Sequence, residues 1–532
     1  MRKILQQVSL TFLISIFFSS PFSYSQIANQ IILDHNNVSC TLSDEGGFFT
    51  NNATGLAGYE VPKGDSISSI FAGSIFIGAQ DVLGQHFFSG RKYSFGGNES
   101  SFHSGPVADA FYYGTLAYFN AYQNALWKVS AAQITAHQQN FQNPGYTIPY
   151  SILKWPGNGD VSMGVAQQLA PYIDLNQNGI YEPILGDYPD IRGDEAVYII
   201  MNDESYQPDG NQLEIELHMM FYQFSSGNYL NNTTFLNVKV FNRSNINYVN
   251  FNQGVYIDYD IGFYADDHIG CSPEKNMLFA YNGDNFDESD ANHIGYGSNP
   301  PCQGIVCLSH TLKTGVSLTN NDDYFAYGDT SLWLLMDGFY SDTTPWVNPL
   351  TNQITNFIFP DNPNNPNGWS EITQNMPSGD RRGLISIFEP TFRPGSKICS
   401  DYAFIYSRVG NNMQNVQSVW NIATSIQTLY NSSEMFICHE NPTSGVQNFQ
   451  SNSEALKIFP NPARDNITIK TAMQAPYMLE IFNSTGQKVL ANQMEAMDIL
   501  QIDIKDLDAG FYVLKLSTST SISTQSFSII PN

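Results

Sequence analysis

The sequence predicts a mainly β protein: a β-rich body of several parts with a few short helices, then a small C-terminal immunoglobulin-like β-sandwich. Three observations predict it. Apolar and polar residues alternate, with the period of a strand, at Ser69–Ile77, Glu195–Met201, Leu213–Tyr222, Thr234–Phe241, Gly254–Phe263 and Tyr402–Ser407. Roughly one residue in ten between Ile27 and Glu440 is Asn, a usage that favours turns and loops. The last stretch, of about 75 residues, has its own cadence of strand-prone segments separated by turn residues.

The 532 residues are 42% hydrophobic and 14% charged, too apolar and too weakly charged for a disordered acidic chain. The 23 Lys and Arg stand against 49 Asp and Glu, a net charge of −26. Such a polyanion repels nucleic acid and anionic headgroups, so neither is expected as a partner. At the start, Arg2 and Lys3 precede an apolar stretch, Val8–Phe18, and Ser23 and Ser25 give a small-x-small cleavage pattern. Residues 1–25 therefore read as a signal peptide, whose removal takes away two basic and no acidic residues and leaves −28. No later run approaches ~18 consecutive apolar residues, so no transmembrane helix is expected. The body would occupy 26–440, with subdivisions near 170 and at the turn-rich 361–370, and a polar linker would follow at 441–455.

Two helices stand out within the body. Ser130-Ala131-Ala132-Gln133 has the form of a capping box and starts a helix reaching about Gln139. Val416, Val419, Trp420, Ala423, Ile426 and Tyr430 recur at helical spacing and share one face. Six cysteines in an exported chain permit disulfides. Pairing Cys302 with Cys307, Cys399 with Cys438 and Cys40 with Cys271 is one of 15 connectivities, and free buried thiols are the alternative.

The most chemical segment runs from Asp174 to Glu182 and satisfies D-x-N-x-N-G, the first half of a calcium loop. Oxygens of Asp174, Asn176 and Asn178 would converge on the ion, Gly179 would make the sharp turn, and Ile180 would offer its carbonyl. Leu185 stands where a bidentate Glu is expected, so Glu182 or Asp187 must replace it. Hard oxygen donors fit Ca²⁺, bound structurally in the weak extracellular range of about 10⁻⁴–10⁻³ M. An Asn-rich turn without an ion is the alternative.

Glu214, Glu216 and His218 fall on one face of a predicted strand, opposite Leu213, Ile215 and Leu217. They could serve acid–base chemistry, or form a polar outward face. Asp258 and Asp260 share a strand face, followed by Asp266, Asp267 and His268, and solvated turns are the simpler reading of such clusters. Glu214, Glu216, Asp258 and Asp260 are thus the catalytic candidates if the protein is an enzyme. In Pro377–Gly383, paired arginines are expected to form internal ion pairs. The chain contains no HExxH, G-x-S-x-G or phosphate-cradling glycine motif.

The tail reads as a small antiparallel sandwich. Its segments IFPNPARDNITIK, LEIFNSTGQKVL and LDAGFYVLKL, within 456–532, resemble the C-terminal sorting domain of type IX (Por) secretion cargo. The resemblance implies recognition by the type IX machinery, passage through the periplasm and outer membrane, and release or attachment to surface lipopolysaccharide. Gln525 and Ser526 stand where members of that family often carry basic residues. Body segments such as GYEVPKG, ILKWPGNGD, LAPYIDLNQNGIYEPILGDYPDIRGDEAVYIIMND, FYADDHIGC and PSGDRRG are similar to those of a family of large exported proteins bearing the same kind of tail. That resemblance brings no catalytic residue with it. The expectation is an exported, calcium-stabilised structural or adhesive protein; the alternative is a secreted hydrolase or binding protein acting on extracellular glycans.

Overall fold

The computed structural model describes residues 30–438 and 456–529, except 95–96, 123–124, 205–211, 292, 320–328, 434–435, 437, 472–475, 484–487, 496–498, 506, 509 and 518–521. The signal segment 1–25 and the linker 441–455 lie outside the described residues. The alternating runs form long antiparallel strands, as the pattern requires. Two large sheets result. The first runs Gln30–Leu33, Ser39–Ser43, Gly47–Phe48, Ser68–Gln80, Tyr248–Tyr259, Arg381–Phe392, Thr314–Thr319, with further short strands at its side. The second runs His103–Ser104, Glu195–Asn202, Ile215–Gln223, Thr233–Asn242, Lys397–Ser407, Cys302–Cys307, Met277–Asn282, Asp267–Ser272.

One core joins the facing surfaces of these sheets. Ile75, Ile77, Val255, Ile257, Ile385 and Ile387 come from the first, and Val197, Ile199, Leu217, Met219, Val238 and Phe404 from the second. The opposite face of each sheet is covered as well. On the second sheet, Tyr198, Met220, Phe279, Ala403 and Ile405 pack with Val416, Val419, Ala423, Ile426 and Tyr430 of the helix Asn412–Ser432. On the first, Phe76, Tyr256, Val316 and Leu384 pack with Leu332, Leu335 and Met336 of the helix Asp329–Asp337. Each Val, Leu, Ile, Phe or Met among them contributes about 1.5–3 kcal/mol by burial, which favours this layered arrangement over sheets with a wet face.

Sequence signals fix the helix starts. Asn411 accepts the Gln414 amide at 2.9 Å while Gln414 Oε1 accepts the Asn411 amide at 3.0 Å, a reciprocal cap that defines where Asn412–Ser432 begins. Ser130 and Gln133 do the same for Ala131–Asn140. Close approach of strands depends on Gly73, where a Cβ would lie 2.0 Å from the Phe48 ring.

The cysteines follow the expected pairing at one of its three places. Cys399 and Cys438 form a disulfide, whereas Cys40, Cys271, Cys302 and Cys307 are free and buried. Cys302 and Cys307 are five positions apart on one strand, so they point to opposite faces and join different cores. Cys40 lies in the first sheet and Cys271 in the second.

The described residues up to Cys438 form one compact unit and those from Leu456 another. The second unit is a sandwich. Leu456–Phe459, Asn466–Thr471 and Ile499–Asp503 make a three-stranded sheet, and Lys488–Met494, Tyr477–Asn483, Gly510–Ser517 and Ile522–Ile529 a four-stranded one. Ile467, Ile469, Leu479, Ile481, Leu514, Leu516 and Phe527 share its core, every second residue of each strand, as sheets with one buried face require.

Candidate functional site

The D-x-N-x-N-G segment folds into a closed loop. Its neck is the antiparallel pairing of Tyr172–Ile173 with Tyr188–Pro189. Asp174 accepts the Gln177 amide through Oδ1 and the Gly179 amide through Oδ2, both at 2.7 Å. Asn176 Oδ1 accepts the Asn178 amide at 3.1 Å, and Asn178 Oδ1 the Ile180 amide at 2.8 Å. Gly179 adopts φ 79°, the turn for which a glycine is suited. The side-chain amides of Asn176 and Asn178 both donate to Glu182 Oε2, at 3.3 and 2.6 Å. Asp174, Asn176, Asn178 and Glu182 are therefore brought together. Asp187 is buried in the neck, where its two oxygens accept the Leu175 and Glu182 amides at 2.9 and 2.8 Å. It braces the loop, while the Ile180 side chain faces solvent.

Glu214 and Glu216 part company. Glu214 is exposed and takes φ 54° just before the strand Ile215–Gln223. Glu216 and His218 are buried, correcting the expected polar outward face. That face is covered by the chain near Val107 and by Tyr118 and Tyr122, far away in sequence. Glu216 Oε1 takes Arg243 Nη2 and, at 3.0 Å, His218 Nε2; Oε2 takes the Val107 amide at 2.9 Å. His218 Nδ1 meets the Tyr198 hydroxyl at 2.7 Å. Burial alone would raise the Glu216 carboxyl, but the His218 and Arg243 contacts outweigh it and hold the group below its ordinary 4.5. Burial holds His218 below its ordinary 6.5, against the opposing pull of Glu216. A neutral imidazole satisfies both contacts, accepting from Tyr198 and donating to Glu216.

Asp258 lies at the end of the strand Tyr248–Tyr259, and Asp260 directly follows it. Asp258 is buried, again against the expectation of a solvated turn, and its Oδ2 pairs with Arg382 Nε at 3.1 Å. Asp267 is buried too. Sequence reasoning missed Asp380, whose carboxylate joins Asp258 and Asp260 and pairs with Arg382 Nη2 at 3.2 Å. The signal lay in strand register, invisible in one sequence: Asp258 sits opposite Arg382, and Tyr259 opposite Arg381. Arg381 turns away to Glu371, meeting Oε1 at 3.0 Å and Oε2 at 3.1 Å. Burial, partly opposed by Arg382, pushes the Asp258 carboxyl up to about 7. Burial and the charges of Asp258, Asp380 and Asp267 push Asp260 well above its usual range.

In the second unit the fold presents a different kind of site, an address. Residues 457–530 match the secretion system C-terminal sorting domain. The chain carries a type IX sorting tail. It is therefore an exported protein, directed to the cell surface or the extracellular space, with a tail suited to recognition by the type IX machinery. Among the described residues no helix is long and apolar enough to cross a membrane.

The body adds little by comparison. No curated protein matches the chain. Among solved structures, a polysaccharide lyase is similar over 63% of this chain and 35% of its own, at 7% identity and a TM-score of 0.19. A protein assigned as an aldose 1-epimerase from Escherichia coli K12 is similar over 72% of this chain and 100% of its own, at 10% identity and a TM-score of 0.25. At such scores neither likeness bears on the function of the body.

Proposed function

We propose that the protein is an exported structural or adhesive component of the cell surface or surrounding medium, stabilised by calcium bound in the Asp174–Glu182 loop. The observation that carries this reading is the sorting tail at 457–530. After transport the tail would be removed and the body released or attached to surface lipopolysaccharide. The similarity of body segments to large exported proteins with such tails agrees with this.

The loop supports a calcium role through its donor set. Asp174, Asn176, Asn178 and Glu182 supply hard oxygens around one turn, and Ile180 adds a backbone carbonyl. With one full charge among the first three ligands, affinity belongs to the weak extracellular class. A glycan-active hydrolase would need Glu214, Glu216, Asp258 and Asp260 to face substrate. Burial of Glu216 against Arg243 and of Asp258 against Arg382 weighs against that alternative.

Deletion of 456–532 tests the address: the body is expected to accumulate in the periplasm, and normal surface or medium levels would refute the reading. Calcium at millimolar concentration is expected to raise Tm by mass action, with Asp174→Ala losing the loop's share of that rise. An equal rise in both chains would refute the loop assignment.

A further inference from the structure

At the end of the strand Tyr248–Tyr259, negative charge is gathered faster than the protein neutralises it. Register places Asp258 opposite Arg382 and Tyr259 opposite Arg381, and continuing it by one position sets Asp260 opposite Asp380. Like charges directly opposite across a sheet repel, so the fold spends stability at this point. One carboxylate oxygen each from Asp258, Asp260 and Asp380 lies within 4.8 Å of the other two. Asp267 is next to them, tied in by the Gly379 amide, which donates to the Asp267 carbonyl at 2.9 Å.

The positive side of this balance is short. Arg382 contacts Asp258 and Asp380, while Arg381 is taken by Glu371 and the Pro377 carbonyl. Arg382 thus serves Asp258, Asp260 and Asp380 together. Among the described residues, two buried oxygens also lack donors. Asp258 Oδ2 is in the Arg382 pair, but Oδ1 is buried with no hydrogen-bond partner, on a side chain only 3% exposed. Asp267 Oδ2 accepts the Ile261 amide at 3.0 Å, and its Oδ1 is likewise buried and without a partner. A buried carboxylate oxygen without a donor carries an uncompensated desolvation penalty, which a cation or proton meeting it relieves.

We propose that Asp258, Asp260 and Asp380 bind a calcium ion, with Asp258 Oδ1 as the buried ligand and Asp267 as a supporting carboxylate. The donor set selects the ion. Ca²⁺ accepts several protein carboxylate oxygens at about 2.3–2.6 Å in a flexible geometry, whereas Mg²⁺ demands a near-ideal octahedron and keeps most of its waters. The donors are all oxygen, because the neighbouring His268 gives Nδ1 to Glu371 at 2.7 Å. The ion would clamp the ends of two adjacent strands of the first sheet, replacing repulsion across the pair by a shared ligand. This site uses no residue of the 174–182 loop, so the two calcium assignments stand or fall separately.

The test uses the full mature chain, stripped of calcium and carrying Asp174→Ala. Isothermal titration with calcium chloride is expected to register one equivalent, which is lost when Asp260→Asn and Asp380→Asn are added. Magnesium chloride at the same concentration is expected to register none. An unchanged stoichiometry after both substitutions, no calcium binding in the Asp174→Ala chain, or equally strong magnesium binding would each overturn the site. Should the substituted chain fail to fold, crystals of the unsubstituted protein soaked in terbium chloride decide the matter. An anomalous peak within coordination distance of the three carboxylates supports the site, and its absence there overturns it.

Discussion

Two buried carboxylate clusters in the body have opposite designs. Around Glu216 every acid oxygen is met by a donor: the guanidinium of Arg243, the imidazole of His218 and the amide of Val107. Around Asp258 several carboxylates share Arg382, and buried oxygens of Asp258 and Asp267 meet no donor among the described residues. The first cluster is completed by the protein alone; the second calls for a cation from outside. Burial of an acid is thus no guide to its role until its donors are counted, because desolvation opposes the charge at both sites and the compensation differs.

That contrast can be broken most forcefully at Glu216. Glu216→Ala would leave Arg243, His218 and the Val107 amide without their acceptor, and is expected to cost about 3–5 kcal/mol in urea unfolding. A loss below about 1 kcal/mol would show that the network is not the compensated cluster described.

Acid titration gives a smaller effect. His218 and Glu216 both bind protons more readily in the unfolded chain, because folding holds them below 6.5 and 4.5. Their contribution is full above those values, and it is lost first as pH falls below 6.5 and again below 4.5. His218→Gln should flatten the upper step of the stability–pH curve; an unchanged slope would place the titration elsewhere. Smaller still, Asp260→Asn is expected to stabilise the calcium-free protein by roughly 0.5 kcal/mol, because it removes a like-charge opposition across the sheet. Destabilisation without calcium would contradict the repulsion on which the second cluster is argued.

Much of this architecture was legible in local pattern. The alternation at Ser69–Ile77 lies inside the strand Ser68–Gln80, and that at Thr234–Phe241 inside Thr233–Asn242. The capping residues Ser130 and Gln133 start a helix as their side chains dictate. The tail strands Asn466–Thr471 and Tyr477–Asn483 alternate because one face of each sheet is wet, and the sorting motifs are contiguous in sequence. What the pattern hid was the covering of the second face in the body. Alternation at Glu214, Glu216 and His218 marks two faces without saying which meets water, and that is decided by distant segments such as the one around Val107. The role of Asp380 was hidden for the same reason, since only strand register sets it beside Asp258 and Asp260. The helix Asp329–Asp337 was missed because a nearly all-apolar run such as Leu332–Met336 shows no amphipathic period.

The central claim is that an exported acidic body relies on external calcium at sites the protein leaves uncompensated. Differential scanning calorimetry of the mature chain, in chelator and then in millimolar calcium, tests it most directly. The account predicts that calcium raises Tm in the unsubstituted chain and in a Glu216→Gln chain. It predicts a smaller rise with Asp174→Ala, and almost none when Asp260→Asn and Asp380→Asn are added. A Tm indifferent to calcium in the unsubstituted chain would contradict it.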